Sequence, residues 1–132
     1  MQIVFILLFL LSLSEEALSA EGPFYALRQR SNQLYKTSQE MVEHGMEGHL
    51  HEMISYGNNL LRQGKDTLKE INLAKIPPTQ RGELTKMLIR LQKKTQDAIA
   101  FSKQNQDRQA VQAARTASFI AKHIRQKIDG LR

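Results

Sequence analysis

From Phe24 onward, apolar and small residues recur in alternating steps of three and four. The first set runs Phe24, Leu27, Leu34, Met41 and Val42, with Ser31 and Ser38 in the vacant slots. The second runs Leu50, Met53, Ile54, Gly57, Leu60, Leu61, Gly64, Leu68 and Ile71. Leu84, Met87, Leu88, Leu91, Ala98 and Ile99 form a third, and Ala110, Val111, Ala114, Ala117, Ala121, Ile124, Ile128 and Leu131 a fourth. This spacing lays each set along one stripe of a helix. No segment alternates with the period of a strand while carrying β-branched residues. The pattern therefore predicts an all-α chain with helices over about 23–44, 49–73, 80–102 and 107–130.

Three breaks separate the helices. "HGMEGH" (44–49) supplies two glycines, the first suited to a left-handed position just after a helix. "IPPTQRG" (76–82) ends the second helix, because paired prolines cannot continue one. "SKQNQD" (102–107) is a polar turn in which Asp107 is a reasonable N-cap. Connections this short between amphipathic helices imply an antiparallel, up-down-up-down four-helix bundle. The two halves also read as similar helical hairpins. At an offset of 57, "QEMVEHGMEGHLHEMISYG" (39–57) lies over "QDAIAFSKQNQDRQAVQAA" (96–114), turn upon turn.

Residues 1–20 stand outside that pattern. "IVFILLFLLSL" (3–13) is shorter than a comfortable membrane span, and "SEEALSA" after it ends in small residues. This reads as a secretory signal peptide cut after Ser19 or Ala20, leaving a bundle over 21–132 in the periplasm or outside the cell. The start Met1-Gln2 has no Lys or Arg, and an uncleaved anchor is the competing reading. With no cysteine, an exported chain has neither a disulfide framework nor thiolate ligands, so its stability rests on the core.

Charge is unevenly placed. Residues 21–75 hold seven Lys/Arg and seven Asp/Glu, whereas residues 76–132 hold twelve against four. Lys86, Arg90, Lys93 and Lys94 follow helical spacing, as do Arg108, Arg115 and Lys122, and such stripes suit an anionic surface. Export argues against nucleic acid as that partner.

Histidine is concentrated in the first turn. "EHGMEGHLHE" (43–52) holds three of the four histidines, and the equivalent stretch of the second hairpin has Phe101, Gln106 and Arg108 where the first has His44, His49 and His51. The fold evidently does not need imidazole there. Glu40 and His44 share one helix face, His49 shares another with Glu52 and Met53, and a tight turn brings the two faces together. Glu40, His44, His49 and Glu52 are thus the expected ligands of a metal ion, with Glu47, His51 and Met53 as further candidates. His51 points about 200° from His49 around the helix, which sets it apart. No Lys or Arg occurs between Thr37 and Leu61, so no ammonium or guanidinium in that stretch competes with a cation. Met41, Met46 and Met53 add thioethers suited to Cu(I). The competing reading is a solvated corner, with His44 near a helix C-terminus and Glu52 near an N-terminus, each favourable against the dipole. His123 stands among Lys122 and Arg125 and takes no role.

"EMVEHGMEGHLHEMISYGNNLLRQGKDTL" resembles the repeat of the small metal-binding protein family of bacterial periplasm, which carries "EHG-x-x-GH" at its hairpin turns. Glu43-His44-Gly45 and Gly48-His49 match that motif. The resemblance implies four antiparallel helices and sequestration of a divalent transition metal such as copper, nickel or zinc, without catalysis. Tyr56, Asn59 and the second hairpin lack the family's other histidines, so one site carries over. Nothing in the chain suggests an enzyme: there is no phosphate-binding glycine loop, no nucleophile beside a base, and no Cys-x-x-Cys-His for haem. A basic, non-catalytic binding or scaffold bundle of the cell envelope, with no metal, is the alternative function.

Overall fold

A computed structural model describes residues 22–132, and the expected signal peptide lies outside those residues. Four helices follow one another: α1 (Tyr25–Met46), α2 (Leu50–Leu73), α3 (Pro78–Lys103) and α4 (Asp107–Asp129). No strand occurs among the described residues. Each helix packs on its neighbour in sequence, and α4 closes the ring against α1. The result is the up-down-up-down four-helix bundle that short connections dictate. Both hairpin turns, α1–α2 and α3–α4, lie at one end.

The predicted stripes face inward. Leu27, Leu34 and Met41 of α1, Met53, Leu60 and Ile71 of α2, Leu84, Leu88 and Leu91 of α3, and Ile124 and Ile128 of α4 fill the core. Toward the hairpin-turn end α4 presents Ala110, Ala114 and Ala117, small residues that let the helix axes approach. The hydroxyls among these apolar side chains bond back along their own helices. Ser31 donates to the Arg28 carbonyl at 3.0 Å, Ser38 to Tyr35 at 2.6 Å, Thr67 to Gln63 at 2.7 Å, and Thr95 to Leu91 at 2.7 Å. None of these four hydroxyls is left unpartnered by burial.

The repeat extends well beyond the turn. Leu27 and Leu84, Leu34 and Leu91, Ser38 and Thr95, Met41 and Ala98, Met53 and Ala110, and Ile71 and Ile128 are buried pairs related by the 57-residue offset. Where the first copy has methionine, the second has alanine. Exchange of large for small across the pair keeps the summed core volume in bounds.

Three boundaries differ from the pattern. α1 continues through Gly45 to Met46, and Gly48, not Gly45, takes the left-handed conformation, with φ +77°. Gly45 is retained for closeness: a Cβ there would stand 2.9 Å from Met53 Sδ and 3.0 Å from Val111 Cγ2. α3 begins at Pro78 itself, since the first position of a helix has no use for its N–H. The N-cap of α4 is Gln106, without a side-chain cap, and Asp107 sits inside the first turn, where its charge still favours the positive helix end.

Gly57 and Gly64 separate packing from propensity. A Cβ on Gly57 would meet Ile99 Cγ1 at 2.7 Å, whereas one on Gly64 meets nothing within 4 Å. Gly57→Ala is expected to destabilise the bundle by about 0.5–2 kcal/mol, overpacking outweighing the gain in helix propensity. Gly64→Ala is expected to stabilise it by about 0.5–1 kcal/mol. Urea midpoints moving in opposite directions check both; midpoints rising together would show that Ile99 yields freely.

Candidate metal centre

The turn between α1 and α2 consists of Glu47, Gly48 and His49. Their backbone angles (φ −83°, ψ 0°; φ +77°; φ −85°, ψ 69°) recur at Gln104, Asn105 and Gln106 (φ −93°, ψ 7°; φ +56°; φ −95°, ψ 74°). The hydrogen bonds recur too. His49 N–H donates to the His44 carbonyl at 2.8 Å and Gln106 N–H to that of Phe101 at 2.9 Å. Gly48 and Asn105 donate to Gly45 and Ser102, each at 3.1 Å. One turn is thus built twice, and only the first is furnished with histidine.

In that first turn the backbone bond between residues 44 and 49 holds the two histidines side by side. Their ring centroids are 5.7 Å apart. Glu47, one step before the left-handed glycine, turns back so that a carboxylate oxygen lies 3.3 Å from His49 Nδ1. One nitrogen of each histidine and an oxygen of Glu47 all lie within 4.8 Å of one another. Ligand atoms in a tetrahedral shell with bonds of about 2.0–2.1 Å sit about 3.3 Å apart, so holding an ion would draw the cluster in by up to about 1.5 Å. His49 and Glu47 have the freedom to do so, with side chains 53% and 62% exposed.

His44 is the fixed member. It is half-buried, and its ring stacks on Tyr56 of α2 with centroids 4.9 Å apart and planes 19° from parallel. Its Nδ1 is buried and makes no hydrogen bond among the described residues. The same holds for Nδ1 of His123, which stands away from the turn.

The other expected ligands stand elsewhere. Glu40, one turn before His44, opens on a polar concavity shared with Arg30, Lys36, Arg62 and Asp66. Glu52 and His51 are exposed on α2 and lie outside the cluster. Met53 is a core residue, 1% exposed, whose sulfur lies 3.3 Å from the Ser102 oxygen, a hydroxyl that donates to the Ala98 carbonyl at 2.7 Å, so its thioether is committed to packing. Glu47 replaces Glu40 and Glu52 because the left-handed turn folds its carboxylate back over the corner, a path that helical face arithmetic does not contain. Tyr56 carried no sequence signal beyond its place one turn after Glu52. Met46 is exposed, and its sulfur receives the Arg115 guanidinium of α4 at 3.6 Å.

Compared with protein-family models, with curated proteins and with solved structures, the chain has no match.

The turn's tolerance is testable. Gly48→Asn is expected to fold with little loss, since Asn105 already takes positive φ at the equivalent place. Gly48→Val is expected to lose about 1–2 kcal/mol or more, because a β-branched side chain opposes that conformation. Thermal midpoints of the two variants check this; equal midpoints would mean that the turn relaxes to another form.

Proposed function

We propose that this chain is a small exported metal-binding protein that holds one divalent transition-metal ion, Cu2+, Ni2+ or Zn2+, at His44, Glu47 and His49. It acts by sequestration and not by catalysis. What supports the reading most is the convergence of two imidazoles and a carboxylate at one turn, one ligand atom from each lying within 4.8 Å of the others. The identical second turn lacks all three groups, so the cluster serves no need of the fold.

The donor set fits the ions named. Imidazole nitrogen with one carboxylate suits zinc, nickel and Cu(II), whereas Ca2+ and Mg2+ prefer oxygen throughout. Three protein ligands leave the remaining positions to water, and the exposure of His49 and Glu47 keeps the ion exchangeable. Tyr56 holds the His44 ring in one orientation, which lowers the entropy lost on binding. The resemblance of "EHGMEGH" to the turns of periplasmic metal-binding bundles agrees with this reading.

Calorimetric titration is expected to give about one equivalent for at least one of the three ions. His44→Ala with His49→Ala abolishes it, Glu47→Gln weakens it about tenfold or more, and Glu52→Gln leaves it unchanged. Affinity falls as the solution is acidified, because protons compete with the metal for its ligand atoms. Absence of binding for all three ions, or binding that survives the double histidine variant, would sink the proposal.

The repeat offers a gain-of-function check. Phe101→His, Gln104→Glu and Gln106→His together place the same three groups on the second turn, and two equivalents of metal are expected. A folded variant that still binds only one would show that the turn's backbone geometry is not what assembles the site.

A further inference from the structure

The solvent face of α4 carries one exposed aromatic ring within a run of basic and amide side chains. Arg108, Gln112, Arg115, Phe119, Lys122 and Gln126 follow one another at three- and four-residue steps, and all are exposed. Phe119, at the middle of the stripe, is 63% exposed, and the His123 ring packs on it at 4.3 Å between centroids. The ring stands between two cations, Arg115 four residues before it and Lys122 three after.

The cations around it are free. Among the described residues the ion pairs of α3 and α4 are Lys93 and Lys94 with Asp97, and Lys127 with Glu83. Those contacts use two of the four carboxylates in this half of the chain. Arg108, Arg115 and Lys122 form no ion pair with a described carboxylate, and neither do Lys86 and Arg90 on α3. Asp107 lines a cleft with Arg108 and Arg115, and Glu43 lines a concavity with Arg115. Both lie toward the stripe's hairpin-turn end, and exposed Asp129, three residues after Gln126, stands at its other end, so positive charge is in excess between them from Arg115 to Lys122. Exposed Met46 lies against Arg115 and adds a second apolar tip there.

We infer that this face of α4 docks flat on an anionic lipid bilayer, with Phe119 entering the boundary of headgroups and acyl chains while Arg108, Arg115 and Lys122 reach the phosphates. A polyanion in solution would need only the cations. A bilayer uses the exposed ring as well, because an interfacial helix buries apolar side chains while long basic ones stay at headgroup level. The stripe spans roughly 27 Å along the helix at about 1.5 Å per residue, enough to lie along a membrane surface. No described helix is long and apolar enough to cross a membrane, so the contact is one of lying on it. It is independent of the metal centre.

The test is co-sedimentation of residues 21–132, which contain all four helices and the whole described core, with vesicles. Chelator keeps the histidine cluster free of metal. Binding is expected to vesicles of equal phosphatidylglycerol and phosphatidylcholine, to weaken with salt, and to be absent with phosphatidylcholine alone. Arg115→Gln with Lys122→Gln is expected to lower it by an order of magnitude or more, at about fivefold per cation. Phe119→Ser is expected to lower it severalfold. Both substitutions are on the surface, and an unchanged helical circular dichroism spectrum confirms that the variants fold. Equal binding to both vesicle types overturns the proposal. So does binding to the anionic vesicles that neither variant reduces. Retention on heparin, together with vesicle binding indifferent to Phe119→Ser, assigns the face to a soluble polyanion instead.

Discussion

A single backbone constraint organises the hairpin-turn end of this molecule. The chain must reverse between antiparallel helices in three residues, and the middle one takes positive φ, Gly48 in one hairpin and Asn105 in the other. That conformation lets the third residue return its N–H to the carbonyl of the residue five before it, His44 or Phe101. Side chains at those two places then leave the backbone from neighbouring points. The nearness of His44 and His49 is a property of the turn, and Glu47, inside it, is carried to the same spot.

The duplicated frame makes frame and function separable. The second hairpin folds through the same turn with phenylalanine and glutamine, so imidazole adds nothing to chain reversal. The hairpin-turn end is held by packing: Gly45 lies under Met53 and Val111, Gly57 under Ile99, and the Ser102 oxygen against the Met53 sulfur. A rigid base of this kind leaves the exposed side chains of the corner free to serve a ligand, while Tyr56 fixes one of them. The basic half of the chain follows a comparable division. α4 turns its alanines inward and places arginine, lysine and one phenylalanine on the outer face.

Legibility in the sequence was uneven for definable reasons. Helical stripes could be read because burial follows a fixed period, and that period survives Met-to-Ala exchange between the repeats. Gly45 and Gly48 could not be told apart by type, since one serves close approach and the other positive φ. Glu40 looked like a ligand because it shares a face with His44, yet it lines a concavity with Arg30, Lys36 and Arg62 and lies outside the histidine cluster. The stretch free of Lys and Arg along the chain was therefore not free of them in the fold; Arg115 likewise arrives at Met46 from α4. Met53 shared a face with His49, but the inward side of that face is the core.

By itself, the sequence determined the all-α class, the number and order of the helices, the hairpin repeat and the turn in which the histidines gather. These depend on local periodicity and on residues that stop helices, and both act over a few positions. Only the tertiary structure decided that Glu47 joins His44 and His49, that Tyr56 backs the site, that Met53 belongs to the core, and that Phe119 stands exposed among unpaired cations. Those facts depend on the path of a left-handed turn and on which helix lies against which. Neither is a property of spacing along one chain segment.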